Sequence, residues 1–179
     1  MNFWLRPGSR FIKELIPYLA ITHMQRLRFR KVAVGGTFDT LHTGHTALLF
    51  TALNYGRKVL VGVTSDEFAQ AYKAYKVKPL KVRFLNLRSL IRELGGSDND
   101  VIIDVINDPY GPTIVDPTID AIVVSLETLP RAIEINNLRR ERGLRPLYII
   151  VIPIIKDGFG NKMSSTLIRD RTGTRELKG

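Results

Sequence analysis

From residue 30 onward the chain alternates short, continuously apolar runs with segments of helical periodicity, and this alternation restricts the available folds more than any other feature. "KVAVGG", "KVLVGVTSD", "DVIIDVI", "DAIVVS" and "LYIIVIP" have the length and valine or isoleucine content of strands. Between them, Leu48, Leu49, Ala52 and Leu53 recur at helix spacing from about Thr43, with Gly56 as a stop. "DEFAQAYKAYK" sets Phe68, Tyr72 and Tyr75 at helix spacing. "KPLKVRFLNLRSLIRELGG" reads as a helix opened by Pro79 and closed by Gly95 and Gly96. "LPRAIEINNLRRERG" reads as another, with Gly143 after a basic end that suits the helix dipole. "DPYGPT" reads as a turn. Strands that are apolar throughout must be covered on both sides, and strand–helix alternation supplies the cover through parallel crossovers. The expectation is an α/β domain with a five-stranded parallel sheet and helices on both faces. Ligands of such sheets bind beyond the carboxyl ends of the strands. That directs attention to Gly35–His45, Thr64–Asp66, Ser125–Thr128 and Ile154–Thr166.

The length of 179 residues fits one domain, and 44% hydrophobic with 25% charged residues is enough to bury a sizeable core. There is no cysteine, which removes disulfides, thiolate zinc sites and cysteine nucleophiles. The net charge is +10, but it is concentrated: residues 1–31 hold Arg6, Arg10, Lys13, Arg26, Arg28, Arg30 and Lys31 against Glu14 alone. The division expected is a basic N-terminal extension over residues 1–30 and a main domain over 31–179. An organellar transit peptide, a membrane-surface helix, a helix packed on the main domain through Phe11, Leu15 and Leu19, and a true start at Met24 are all open readings of the extension. A nucleic-acid or membrane-surface binder led by residues 1–31 is the competing class of function. The main domain is only modestly basic, so no nucleic-acid partner is expected for it. No apolar run reaches the roughly 18 residues of a membrane span, and a cytoplasmic location is expected.

Two of the three histidines, His42 and His45, flank Gly44 where the first strand gives way to a helix. Gly44 would let backbone approach a ligand without a Cβ in the way. Free N–H groups in a helix's first turn favour an anion, two imidazoles could donate to phosphate oxygens, and the hydroxyl of Thr37 could add a donor. The plainer reading of "HTGH" is a helix cap with surface histidines. Zinc is a poorer reading, since no third ligand is nearby and the glutamate of HExxH is missing. No protein-held metal is expected. "KMSST", from Lys162 to Thr166, repeats the same logic after the fifth strand, with Lys162 or Arg169 as added charge; taken alone it would be N-capping. Both elements occurring in order, after the first and last strands, is a far more specific signal than either alone.

"GGTFDTLHTGH" resembles the GTFD…HxGH element of the nucleotidyltransferase superfamily, and "KMSSTLIRD" resembles its ISSTxIR element. "DPYGPT", "IVVSLET" and "EINNLRRERGLRPL" are similar to the archaeal type of phosphopantetheine adenylyltransferase, so that the likeness runs from about Val32 to Asp170. The resemblance implies a single Rossmann-like domain. It implies transfer of the adenylyl group of ATP to 4′-phosphopantetheine, giving dephospho-coenzyme A and pyrophosphate, with Mg2+ accompanying ATP. Coenzyme A is carried as a feedback ligand. His42 and His45 would contact ATP phosphates, with His45 stabilising the transition state and Thr37 positioning the attacking phosphate. Gly35, Gly36, Phe38 and Asp39 would shape the loop. Ser164, Ser165 and Thr166, with Arg169, would hold the β- and γ-phosphates. A lysine after the second strand would meet phosphate, and both Lys76 and Lys78 qualify. Met163 stands where isoleucine is usual. The arginine-rich stretch that bacterial enzymes carry after the fourth strand is replaced by "VSLET", so their recognition of the pantetheine arm does not transfer. The sibling reading is a nucleotidyltransferase acting on nicotinamide mononucleotide or a phosphorylated alcohol.

Overall fold

A computed structural model describes residues 28–153. Strand β1 (Phe29–Gly36) leads to helix α1 (Thr43–Tyr55), β2 (Gly56–Thr64), α2 (Asp66–Tyr72), α3 (Leu80–Glu93) and β3 (Val101–Ile106). A 3-10 turn (Gly111–Ile114) then precedes β4 (Ala121–Ser125), α4 (Leu129–Glu141) and β5 (Tyr148–Ile152). β1 thus begins within the segment read as extension, and Arg30 is fixed there by a bidentate pair with Asp120 at 2.7 and 3.1 Å.

All five strands are parallel, in the order β3-β2-β1-β4-β5. Alternation along each strand divides the core. Val32, Val34, Val59, Val61 and Val63 pack on one face with Leu49 and Ala52 of α1 and Leu87 and Ile91 of α3. Ala33, Leu60, Ile122 and Val124 pack on the other with Ala132 and Ile135 of α4. The central strands are buried on both faces, which is why their sequences read as unbroken apolar runs. β3 and β5 are the outermost strands among the described residues, and they leave Ile102, Val105, Tyr148 and Val151 exposed.

The chain builds outward from β1 to β3, then crosses to the other side of β1 for β4. β1 follows β2 from Phe29 to Gly36 but pairs with β4 at Val32 and Ala33 only. Past that point β1 and β4 part, and a crevice opens at their carboxyl ends. This is the switch point where a doubly wound sheet binds ligands.

Two sequence expectations are corrected by packing. The helix read through Tyr75 stops at Tyr72. The Gln70 amide donates to the carbonyl of Tyr75 at 3.0 Å and accepts from the Val77 amide at 3.1 Å. It thereby turns the chain so that Tyr75 and Val77 are buried against Ala69. The basic helix end "RRER", residues 139–142, which by its charge is expected to be exposed, is not exposed throughout. Arg139 is buried, and its guanidinium donates to the carbonyls of Arg145, Thr113 and Asp116 at 2.7, 2.5 and 3.0 Å. It ties the end of α4 to the loop before β4.

Candidate active site

The crevice has a volume of about 570 Å³. Gly35, Gly36, Thr37, Phe38, Asp39, His42, Gly44 and His45 all line it, with Ser125, Thr128 and Arg131 on the β4–α4 side.

The loop after β1 is tightly specified. Phe38 is fully buried yet has φ +51°, a conformation that bulky residues rarely adopt and that persists only where surroundings impose it. Arg83 of α3 supplies part of that constraint. Its side chain is wholly buried, and it donates to the carbonyls of Thr37, Thr64 and Lys78 at 2.9, 2.8 and 2.8 Å. Its remaining arm meets the carboxylate of Asp66 at 2.7 Å. One guanidinium thus joins the loop after β1, the end of β2, the start of α2 and the approach to α3. Burial would raise the Asp66 carboxyl, but hydrogen bonds from Arg83 and Leu80 and the Arg83 charge hold it below its ordinary value. Asp39, also buried, accepts from the Lys78 amide at 2.8 Å and closes the loop from the other side.

His42 caps α1. Its Nδ1 accepts from the Gly44 amide at 3.1 Å, satisfying one of the free donors of the first turn. Residue 44 must be glycine for this, since a Cβ there would lie 2.8 Å from His42 Cε1. A nitrogen that accepts carries no proton, so neutral His42 holds its proton on Nε2 as a donor. One turn on, the His45 ring stacks on His42 with centroids 3.9 Å apart and meets Phe38 at 5.1 Å. Burial first, then the charge His42 would carry if it too were protonated and the charge of Lys73, push His45 down to about 3. Its Nδ1 is buried with no hydrogen-bond partner among the described residues. "HTGH" is therefore both a helix cap and a pair of imidazoles set in a crevice.

Lys73, which the sequence does not single out as a phosphate contact, lines the crevice, whereas Lys76 and Lys78 are not among its lining residues. Only the turn organised by Gln70 brings Lys73 there, and no local motif announces it. Ser164, Ser165, Thr166 and Arg169 lie outside the described residues.

On the opposite wall stands a second polar cluster. Asp108 accepts from the amides of Tyr110 and Gly111, both at 2.7 Å. Gly111 has φ +51°, and a Cβ there would meet Ile106 Cγ2 at 2.6 Å. The turn carries Tyr110 into the crevice, where its hydroxyl donates to Glu134 at 2.5 Å. Arg131 lies over the Tyr110 ring at 5.3 Å and pairs with Glu134 at 2.6 Å.

A parallel α/β sheet whose switch-point crevice holds paired imidazoles at a helix start defines a nucleotide-handling transferase. The profile described as Cytidylyltransferase-like matches residues 33–171. The phosphopantetheine adenylyltransferase of Pyrobaculum aerophilum is 51% identical over 144 residues, which are 80% of this chain and 92% of that protein. That of Methanopyrus kandleri is 50% identical, over 79% of this chain and 90% of its own. A crystal structure of a protein of unknown function from Archaeoglobus fulgidus is 37% identical, with a TM-score of 0.60 over 68% of this chain and 88% of that one. The chain belongs to the cytidylyltransferase-like nucleotidyltransferases, in their branch of archaeal phosphopantetheine adenylyltransferases.

Proposed function

We propose that this chain transfers the adenylyl group of ATP to 4′-phosphopantetheine, releasing pyrophosphate and forming dephospho-coenzyme A. The observation that carries the reading is the stacked imidazole pair at the start of α1, inside the crevice between β1 and β4. An oxygen of the acceptor's phosphate attacks the α-phosphorus, and the bond to the β-bridging oxygen breaks with its electron pair leaving on pyrophosphate. No covalent enzyme intermediate is needed. Anion must approach anion, so catalysis rests on positioning and on donors aimed at developing charge.

His42, with Nδ1 occupied by Gly44, offers Nε2–H to the phosphates. His45 is neutral before the nucleotide arrives, and polyphosphate charge favours its protonated form. The extra proton then lies where negative charge grows. Thr37 would hold the acceptor's phosphate and Lys73, near enough to His45 to act on its charge, would balance phosphate charge on the same side. Ser164, Ser165, Thr166 and Arg169 would grip the β- and γ-phosphates, as the residues of the matching motif. Among the described residues, no group of three histidines, aspartates or glutamates could hold a metal. Magnesium would enter as the ATP complex and screen the leaving pyrophosphate. Coenzyme A contains all of dephospho-coenzyme A and would compete for the same crevice. None of the described helices is long and apolar enough to cross a membrane; a cytoplasmic location and a basic extension ahead of β1, read from the sequence as residues 1–30, belong to the same proposal.

The test is direct. The protein is incubated with magnesium, ATP and 4′-phosphopantetheine, and the products are identified by mass spectrometry. Parallel reactions offer CTP, nicotinamide mononucleotide and a phosphorylated alcohol. Dephospho-coenzyme A is the expected product; adenylylation of another acceptor in its place overturns the reading.

A further inference from the structure

The crevice has two chemically different sides. His42, His45 and Lys73 gather donors and positive charge near the end of β1. Across from them, Arg131 is neutralised by Glu134 at 2.6 Å, its guanidinium lies over the Tyr110 ring, and the Tyr110 hydroxyl is held by the same carboxylate. Glu127 also lines this wall. A phosphate placed here would face the Glu127 carboxylate and a guanidinium already paired with Glu134. The floor between is apolar, built from Leu60, Ile122, Val124 and Ile135. An arginine has five N–H donors in a planar fork. The hydrogen bond to Glu134 takes one and, with the ring beneath, fixes the plane of the rest.

We propose that Arg131, oriented by Tyr110 and Glu134, is a specificity residue that donates hydrogen bonds to amide carbonyls of the acceptor's extended arm. This rests on the proposed function. A charge-compensated guanidinium above an apolar floor suits a neutral ligand with carbonyl acceptors and methylene or methyl surface, which is the chemistry of a pantetheine arm. It suits a polyphosphate poorly. Glu134 is then a positioning residue that acts through Arg131.

Arg131→Met and Arg131→Lys are compared with the parent, and Tyr110→Phe tests the anchor while keeping the ring. KM is measured separately for 4′-phosphopantetheine and ATP, and unphosphorylated pantetheine is used as an inhibitor competing with the acceptor. The expected result for Arg131→Met is an acceptor KM raised by about tenfold or more, a pantetheine inhibition constant raised in parallel, and an ATP KM within about twofold of the parent. Arg131→Lys keeps the charge but not the fork, and should not restore the acceptor KM. Tyr110→Phe should give a smaller rise of the same pattern. Equal rises in both substrates' KM with a lowered Tm indicate a structural cluster and overturn the proposal. A raised acceptor KM with an unchanged pantetheine constant assigns Arg131 to phosphate and overturns it too. A parent that makes no dephospho-coenzyme A overturns the function and this subsite together. A productive parent with variants indistinguishable from it overturns the subsite alone.

Discussion

The guanidinium of Arg83 donates to the carbonyl of Thr37 at 2.9 Å, across 46 residues of sequence. A residue of α3 thereby fixes the loop that presents Thr37, Phe38 and Asp39 to the crevice. Arg83→Met would leave the carbonyls of Thr37, Thr64 and Lys78 without this donor. Each buried polar group left unsatisfied costs about 1–3 kcal/mol, so the variant should melt several degrees lower. The loop should also lose its shape before the domain unfolds. The prediction is a kcat/KM reduced by more than about tenfold at temperatures where circular dichroism shows the fold intact.

His45→Ala should lower kcat by on the order of a hundredfold or more, the usual effect of removing a donor from developing charge. Pyrophosphate release by the purified variant measures it. Near-parental release from a folded variant would remove His45 from the mechanism.

Gly44→Ala isolates the capping geometry. The new Cβ would stand 2.8 Å from His42 Cε1 and 2.9 Å from Nδ1, so the imidazole must swing off the Gly44 amide. Alanine's better helix propensity, about 1 kcal/mol, offsets the lost cap, and Tm should change little. Nucleotide affinity should fall by about tenfold, as measured by calorimetry.

The lysines separate cleanly. Lys73 lines the crevice, whereas the Lys78 amide serves Asp39 and Lys76 is exposed. Lys73→Ala should reduce kcat/KM at least about tenfold and Lys76→Ala should not. Steady-state kinetics of Lys73→Ala, Lys76→Ala and Lys78→Ala decide it, and a larger loss at Lys76 would reject this placement.

On the proposed function, His45 should make both nucleotide binding and stability depend on pH. Its value falls from 6.5 to about 3 on folding, so the unfolded chain binds more protons between those limits. Stability contributed by the neutral ring is present above about 6.5 and is lost as pH falls towards 3. His45→Gln should flatten that acid limb in urea titrations. ATP should draw a proton onto the imidazole pair, so binding enthalpies near pH 7 should vary with the ionisation enthalpy of the buffer. Their independence of buffer would sink the proposed protonation.

What the sequence determined follows from short-range patterning. Unbroken apolar strands such as "KVLVGV" must be buried on both sides. Helix periodicity and Pro or Gly boundaries located α1, α3 and α4, and "GGTFDTLHTGH" placed His42, Gly44 and His45 together because a helix start holds them within one turn. What only the tertiary structure decided concerns side chains whose partners are distant in the chain. Arg83 and Arg139 read as ordinary helix-surface cations until other segments supply the acceptors that pay for their burial, three carbonyls and the Asp66 carboxylate for Arg83 and the carbonyls of Thr113, Asp116 and Arg145 for Arg139. Lys73 reaches the crevice because Gln70 stops a helix that local periodicity would continue, and Tyr110 meets Arg131 because crossovers bring the end of β3 beside α4. Period and cap are properties of neighbouring residues, whereas a hydrogen bond between loops exists only once the sheet has fixed where both loops lie.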